Sequence, residues 1–349
     1  MRPVAFAYPG DLDTRTGGYA YDRRLIAELK GHGHKVALVK LADTFPNPRE
    51  RDIEDAIAQL AAVPAGHAIV IDGLALGTLP ADRLATLKAP IVALVHHPLA
   101  LETGLAPDRA ERLAASERAA LATARHVIVT SPHTRETLVA DFAVPQGKIT
   151  VAVPGLDAAW RQAVLRRPAD PPLIVSVASI SERKGFDTLT AALAAIADLS
   201  WRAVFVGSIE RAPETVETLK AQIATAGLAE RISIPGEADE DTIRALYREA
   251  TLFALASRYE GFGMVFAEAM ASGLPIVATR GGAVGDVVPA AAGILVEVDD
   301  VEGMATALRQ VLTDTALAAR LSEGADEMGH TFAGWPNTGR LVSDAVAAL

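Results

Sequence analysis

Cysteine does not occur in this 349-residue sequence. Its absence excludes a disulfide framework, a thiolate metal site and a cysteine nucleophile. Long apolar runs are missing too. Nothing approaches the ~18–20 consecutive apolar residues of a membrane-spanning helix. The opening residues, MRPVAFAYPGDLD, hold no apolar stretch of secretory-signal length, and a cytoplasmic protein is expected. The sequence also lacks an excess of positive charge. Its formal net charge is −10, and the imbalance lies in the second half: residues 1–163 hold 18 Lys and Arg against 18 Asp and Glu, residues 164–349 hold 15 against 25. Neither half is basic, so neither nucleic acid nor an anionic membrane surface has electrostatic support as a partner. No self-similar period recurs, which excludes a repeat array. No Gly-x-Gly-x-x-Gly follows the first apolar run and no Gly-x-Ser-x-Gly occurs, which weakens dehydrogenase and hydrolase readings.

Half of the residues are hydrophobic and 22% are charged. About three quarters of the unfolded surface of such a chain can be buried, and the length suits about two domains. Short β-branched, apolar runs fall near 4–7, 35–39, 68–71, 91–95, 126–130 and 149–153. A second series falls near 173–177, 202–206, 231–234, 252–255, 275–278 and 293–298. Helix-period stretches lie between them, among them 21–30, 111–124, 186–196 and 242–250. Apolar strands alternating with helices imply an α/β protein with two doubly wound parallel sheets. Residues 160–172, WRQAVLRRPADPP, interrupt the pattern with three prolines and a basic cluster, and read as a linker. Domains are therefore expected at 1–163 and 164–335, with a last helix near 336–349.

Ligands of such sheets bind at the carboxyl ends of strands. The most unusual segment there is 258–272, RYEGFGMVFAEAMAS. Its glycine-bearing turn leads into a helix that starts near Gly263 and stops at Ser272-Gly273. Free amides from Phe262 to Val265 would form an anion site at the helix N-terminus, and Gly261 and Gly263 admit a ligand close to the backbone. Glu268 stands in an otherwise almost wholly apolar helix. It is either an exposed group on the one polar stripe of a core helix or a carboxylate in need of donors, which a polyhydroxyl ligand supplies. Glu260 taken alone reads as an ordinary loop carboxylate.

With seven residues between Glu260 and Glu268, the stretch EGFGMVFAEAMASGLPIVAT resembles the E-x7-E signature of the family 4 retaining glycosyltransferases. Those enzymes have the GT-B fold and build α-glycosides from nucleotide sugars. The resemblance extends over almost the whole chain. Thr16-Gly-Gly-Tyr is similar to the family's N-terminal glycine loop, and Leu29-Lys-Gly-His-Gly-His-Lys-Val to its second-strand entry. Val151-Ala-Val-Pro-Gly-Leu-Asp157, Lys184-Gly185, and Gly281-Gly282 with Asp286 follow in order, and Trp335 matches an aromatic that often precedes the last helix.

The resemblance implies two Rossmann-like domains facing across a cleft, with the C-terminal helix crossing back to the first. It implies that Glu260 and the amides of Gly261, Phe262, Gly263, Met264 and Val265 hold the donor's sugar and diphosphate, and that Glu268 binds the ribose. Lys184 matches the family's phosphate lysine. The arginine expected directly after the first C-domain strand is replaced by Ser179, and the charge reappears at Arg183. Gly17 and Gly18 would approach the donor phosphate, and His96, with His97 second, would lie near the reacting sugar. Without the family, His96 and His97 read equally as polar loop histidines. No cofactor and no metal are implied: the donor is a substrate, the acceptor an unspecified hydroxyl, and the leaving diphosphate is stabilised by cations and amides. No carboxylate is clearly placed as a nucleophile, so attack on the departing face is favoured.

Three other patterns read as structural. Asp11-Leu-Asp13 has metal-chelating spacing but lies in the first strand–helix loop with no further ligand, His32-Gly-His34 reads as a turn, and the acidic run 237–241 as a helix N-terminus. Two alternatives to transfer remain at this point: a sugar phosphorylase or epimerase of the same fold, and a non-catalytic nucleotide-sugar-binding protein.

Overall fold

A computed structural model describes residues 1–162 and 165–349. Its contacts divide the chain into two units, Met1–Gly155 with Ala333–Leu349, and Leu156–Phe332. No helix among the described residues is long and apolar enough to cross a membrane.

The first unit is built on six parallel strands: β1 (Val4–Pro9), β2 (Val36–Leu41), β3 (Ala68–Asp72), β4 (Ile91–Val95), β5 (His126–Val129) and β6 (Ile149–Val151), in the order β2-β1-β3-β4-β5-β6. β1, β3 and β4 are buried along their whole length, which is why they read as continuous apolar runs. The second unit repeats the plan with β7 (Leu173–Val177), β8 (Arg202–Val206), β9 (Ile232–Gly236), β10 (Leu252–Leu255), β11 (Ile276–Thr279) and β12 (Gly293–Val296), in the order β12-β11-β10-β7-β8-β9. The strand order reverses between β1 and β3 and again between β7 and β10. At such points the loops leaving adjacent strands diverge and open a crevice. These two reversals position the candidate sites.

Every strand expected from the sequence has a counterpart, with ends moved by up to two residues. Three local expectations are corrected. Gly17 and Gly18 do not form a loop: they open the helix Gly17–Gly31, whose N-cap Thr16 accepts a hydrogen bond from the Tyr19 amide. Trp335 does not precede the last helix but begins it, after Gly334 as N-cap. The stretch 160–172 is no free linker. Trp160 is buried against Tyr247, Arg167 and Ala169 donate amides to Arg248 and Glu249, and the Arg166 guanidinium reaches the carbonyls of Gly273 and Ala250 and the Ser322 hydroxyl. The boundary expected between residues 163 and 164 falls outside the described residues, and the division by contacts lies at Gly155–Leu156.

The helix Trp335–Ala347 packs on Gly17–Gly31 within the first unit. His34, expected in a turn, is 3% exposed and ties that helix down. One ring nitrogen meets the Arg2 carbonyl at 2.7 Å and the other the Ser343 hydroxyl at 2.8 Å. Thr338 donates to the Val153 carbonyl at 2.7 Å, and Trp335 meets the Tyr21 ring edge-on. A Cβ on Gly155 would overlap the Trp335 backbone. Gly155→Ala should therefore cost about 1–3 kcal/mol, the usual penalty of overpacking, and lower the midpoint of urea unfolding followed by circular dichroism. An unchanged midpoint would show that this helix docks without the close approach.

Candidate active site

Three loops converge at the strand reversal of the second unit. After β7 the chain makes a short turn, Glu182–Lys184, ended by Gly185 with φ +62°. A side chain there would be strained and would overlap the Ala256 carbonyl, so only glycine lets the turn lie against the end of β10. After β10 comes the loop 256–263, and beyond β11 the pair Gly281-Gly282 pairs with Glu260. Glu260 donates its amide to the Gly281 carbonyl, and its own carbonyl accepts from Ala283. Side chains at Gly281 or Gly282 would collide with the backbone of Ser257 and Glu260.

Glu260 is 5% exposed, no ordinary loop carboxylate. Its Oε1 accepts from Lys184 Nζ and from the Ser257 hydroxyl, each at 2.6 Å, and Oε2 lies 3.6 Å from Arg183 Nη1. Burial alone would raise its pKa, but Lys184 and Arg183 outweigh burial and hold it below the usual carboxylate value. Arg183 donates to the Tyr259 carbonyl at 2.8 Å and faces Glu260. Both cations expected at this loop thus point at the same carboxylate.

A further arginine, not singled out in the sequence, staples the loops together. Arg258 forks onto Asp187 at 2.7 and 3.2 Å, meets Asp299 at 2.8 Å and donates to the Glu182 carbonyl. Its pKa is raised, first by Asp187. The sequence signal was available: an arginine two residues before Glu260, in the loop that follows a buried strand.

The helix Met264–Ala271 starts after Gly263, whose φ of +87° turns the chain into it. The amides of 261–263 have no protein acceptor among the described residues, and those of Met264 and Val265 lie in a first helical turn, where intrahelical acceptors are lacking. Glu268 is half-buried on this helix, and no hydrogen bond reaches its carboxylate among the described residues. Burial pushes its pKa up to about 7, and the neighbouring charges Glu240 and Asp157 add to the rise. Of the two sequence readings, the solvated stripe is the one this environment disfavours.

In the first unit, β4 delivers His96. Its Nε2 lies 3.1 Å from Asp22 Oδ1 and 3.4 Å from Asp72 Oδ2. Both carboxylates are buried, and Asp72 also caps the Leu74 amide. The position Gly18 lies against the His96 ring, 3.5 Å from Cδ2 to a Cβ placed there. His97 pairs with Glu102 at 3.2 Å. Asp22 and Asp72 are functional candidates that the sequence reading missed, although each carried a signal. Asp22 shares a helix face with the buried Leu25, Ile26 and Leu29, and Asp72 ends a fully buried strand. The spacing of Nε2 to Asp22 is a hydrogen-bond distance and that to Asp72 a close ionic contact. Asp11 and Asp13 form a local turn, Asp11 accepting the Asp13 amide at 2.9 Å. The run 237–241 does cap a helix, Asp239 accepting the Thr242 amide.

Two parallel six-stranded Rossmann-like sheets in this order define the GT-B fold. Sucrose-phosphate synthase of Thermosynechococcus elongatus superimposes with a TM-score of 0.85 over 100% of both chains at 23% identity. Anabaena HepE, in complex with UDP and glucose, gives 0.76 over 100% of both at 16%. Residues 160–328 match the family described as glycosyl transferases group 1, and residues 67–160 the glycosyltransferase family 4. The chain belongs to this glycosyltransferase family. A D-inositol 3-phosphate glycosyltransferase of Xylanimonas cellulosilytica is 29% identical over 78% of this chain and 68% of its own length. A lipopolysaccharide core biosynthesis mannosyltransferase of Rhizobium meliloti is 33% identical over 44% of this chain and 45% of its own. The chain thus spans less than half of some of the curated relatives it matches.

The raised carboxyl of Glu268 makes a stability statement. Its folded pKa of about 7 exceeds the ordinary 4.5, so the folded state holds its proton more tightly. No penalty exists below about pH 4.5; it grows as pH rises through 7 and then levels off. Glu268→Gln should be as stable as the parent near pH 4.5 and more stable at pH 8, by up to about 3 kcal/mol. Urea unfolding at the two pH values checks this, and equal stability at pH 8 would remove the electrostatic burden assigned to Glu268.

Proposed function

We propose that this chain is a retaining glycosyltransferase that moves a hexose-type sugar from a nucleotide diphospho-sugar to an acceptor hydroxyl, forming an α-glycosidic bond. The observation that carries this reading is the convergence of Lys184 and Arg183 on buried Glu260, beside the helix whose N-terminal amides lack acceptors. A nucleotide sugar brings what those groups require. Its diphosphate takes hydrogen bonds from Lys184, Arg183 and the amides of 261–265. Its sugar hydroxyls donate to Glu260, and its ribose hydroxyls donate to Glu268.

In the reaction the bond from the anomeric carbon to the phosphate oxygen breaks while the acceptor oxygen bonds to the same face. The acceptor proton passes to the departing phosphate. Negative charge grows on the diphosphate as it leaves, so fixed cations and amides stabilise the transition state more than the ground state. Glu260 Oε1 is occupied by Lys184 and Ser257, which suits a hydroxyl-binding role better than nucleophilic attack. We assign His96 a hydrogen bond to a sugar oxygen of the substrates. UDP-glucose is the first donor to test, since HepE is described with UDP and glucose. GDP-mannose is the second, by analogy with the mannosyltransferase relative.

The test is release of nucleoside diphosphate by purified protein, which a mere binder would not perform. Lys184→Ala should lower kcat/KM at least ~10²-fold, as when one preorganised donor is removed. Arg183→Ala should lose a comparable factor, because its guanidinium faces Glu260 rather than solvent. Near-parental turnover in Arg183→Ala would leave Lys184 and the amides alone in the role.

Glu268→Gln separates binding from catalysis. Loss of hydrogen bonds to a charged acceptor should weaken nucleoside diphosphate binding by about 1.5–3 kcal/mol, read by calorimetry. Unchanged affinity for UDP, GDP and ADP alike would refute the ribose assignment.

A further inference from the structure

His96 makes its side-chain hydrogen bonds through one nitrogen. Nε2 faces two carboxylate oxygens, Asp22 Oδ1 at 3.1 Å and Asp72 Oδ2 at 3.4 Å. A lone pair on Nε2 would oppose two acceptors, so Nε2 carries the proton. Among the described residues Nδ1 has no hydrogen-bond partner. The ring is otherwise enclosed: Tyr21 meets it edge-on with centroids 5.3 Å apart, the Gly18 backbone lies beside Cδ2, and the side chain keeps 18% of its exposure.

We propose that Asp22 and Asp72 are positioning residues that hold His96 as an imidazolium, leaving Nδ1–H as a fixed donor to an oxygen of the sugar substrate and closing the general-base role to this histidine. The geometry favours it. A neutral ring would leave two buried carboxylates, one of them with an oxygen that finds no partner among the described residues (Asp22 Oδ2), facing each other across a single weak dipole. A positive charge between them compensates both. The titratable groups acting on His96 from the elements around it are these two, Asp22 from the helix Gly17–Gly31 and Asp72 from the end of β3. On its own loop His97 is engaged with Glu102. Burial opposes the charge on His96, but Asp22 and then Asp72 overcome it and raise its pKa well above the ordinary histidine value. The Asp22 carboxyl is raised in turn, first by burial and then by Asp72.

The consequence is chemical selectivity. A neutral histidine can donate or accept at Nδ1 according to its tautomer, whereas an imidazolium only donates. The substrate part of this inference rests on the glycosyl-transfer reading; the protonation part does not. Replacing His96 would leave Asp22 and Asp72 in mutual repulsion and endanger the fold, so the informative variants are Asp72→Asn and Asp22→Asn. Each keeps the size of the side chain and removes its charge, and Asp72→Asn can keep its oxygen on the Leu74 amide, which turns Nδ2 toward His96.

The full-length chain labelled with ¹³C,¹⁵N-histidine answers the first part, with His96 assigned among the eight histidines by its loss in His96→Gln or by its through-space contact with the Tyr21 ring. In the parent, His96 should stay an imidazolium from pH 6 to 9, and each variant should lower its midpoint by at least about one unit. A parent midpoint between pH 6 and 7, or a midpoint unmoved in both variants, would overturn the proposal. The second part is read from nucleotide release with UDP-glucose or GDP-mannose. The parent's kcat/KM should show no fall assignable to His96 across this range. In Asp72→Asn it should fall about tenfold per pH unit above the new midpoint. A lowered midpoint without that fall would overturn the donor role. If the parent releases nucleotide from neither donor, the glycosyl-transfer reading fails, and the spectra still decide the protonation.

Discussion

Glu260 must remain ionised almost without water, and the loops at the β7–β10 reversal are built around that requirement. A buried carboxylate without donors incurs a desolvation cost of several kcal/mol. Here one oxygen receives an ammonium and a hydroxyl, and the other faces a guanidinium. Bringing those donors in requires backbone at distances that side chains forbid. Gly185 lets the Lys184 turn rest on the Ala256 carbonyl, and Gly281-Gly282 lets the chain after β11 pair with Glu260 itself. Arg258 then ties the turn to the loop through Asp187, Asp299 and the Glu182 carbonyl. The glycines and the charges solve one problem together.

The acidic groups of the two units divide by whether the protein compensates them. Glu260 is compensated and its pKa lies low. Among the described residues Glu268 meets only like charge, and its pKa rises to about 7. Glu117 offers a third case. It is 1% exposed and accepts the Leu99 amide at 2.9 Å, which anchors the turn after His96 and His97, yet burial pushes it to about 8. A backbone amide alone does not offset the loss of water; a formal charge does. By this measure Glu117 is structural, since it is spent on a loop, whereas Glu268 is held in reserve. Residues that lower stability while contacting nothing that repays it are where ligand-binding roles are to be sought.

The fold was legible because buried parallel strands are apolar throughout and leave a continuous signal in the chain. The E-x7-E pair was legible because a carboxylate in MVFAEAMA contradicts its surroundings. Other residues were illegible for physical reasons. Asp22 looks like an ordinary helix-surface acid until its turn is phased against Leu25, Ile26 and Leu29, and its partner Asp72 is 50 residues away. His34 reads as a turn residue because its partner Ser343 is over 300 positions distant. Gly17 and Gly18 suggest a loop by composition, but Thr16 caps a helix there, and small residues at its start serve closeness to His96. The proline-rich stretch 160–172 was misread as free chain because prolines report the loss of periodicity and say nothing of what Arg166 and Trp160 grip.

On the proposed reading, charge balance at the reversal lets a shifted cation pair serve where Ser179 cannot. Arg183, Lys184 and Arg258 face Glu260, Asp187 and Asp299, so three cations meet three anions. Arg258 is committed to the two aspartates and holds the frame. The pair that can change partners is Arg183 and Lys184, whose shared anion is Glu260. On the proposed reading, a diphosphate drawing these two cations toward itself would strip Glu260 of its compensation. That loss is tolerable only if other donors reach the carboxylate at the same time, and sugar hydroxyls are such donors. Phosphate and sugar recognition are then coupled through one side chain. The surrounding half of the chain is acidic, 15 basic against 25 acidic residues from 164 onward. Anions that bring no hydroxyls therefore meet an unfavourable field outside and an uncompensated Glu260 within.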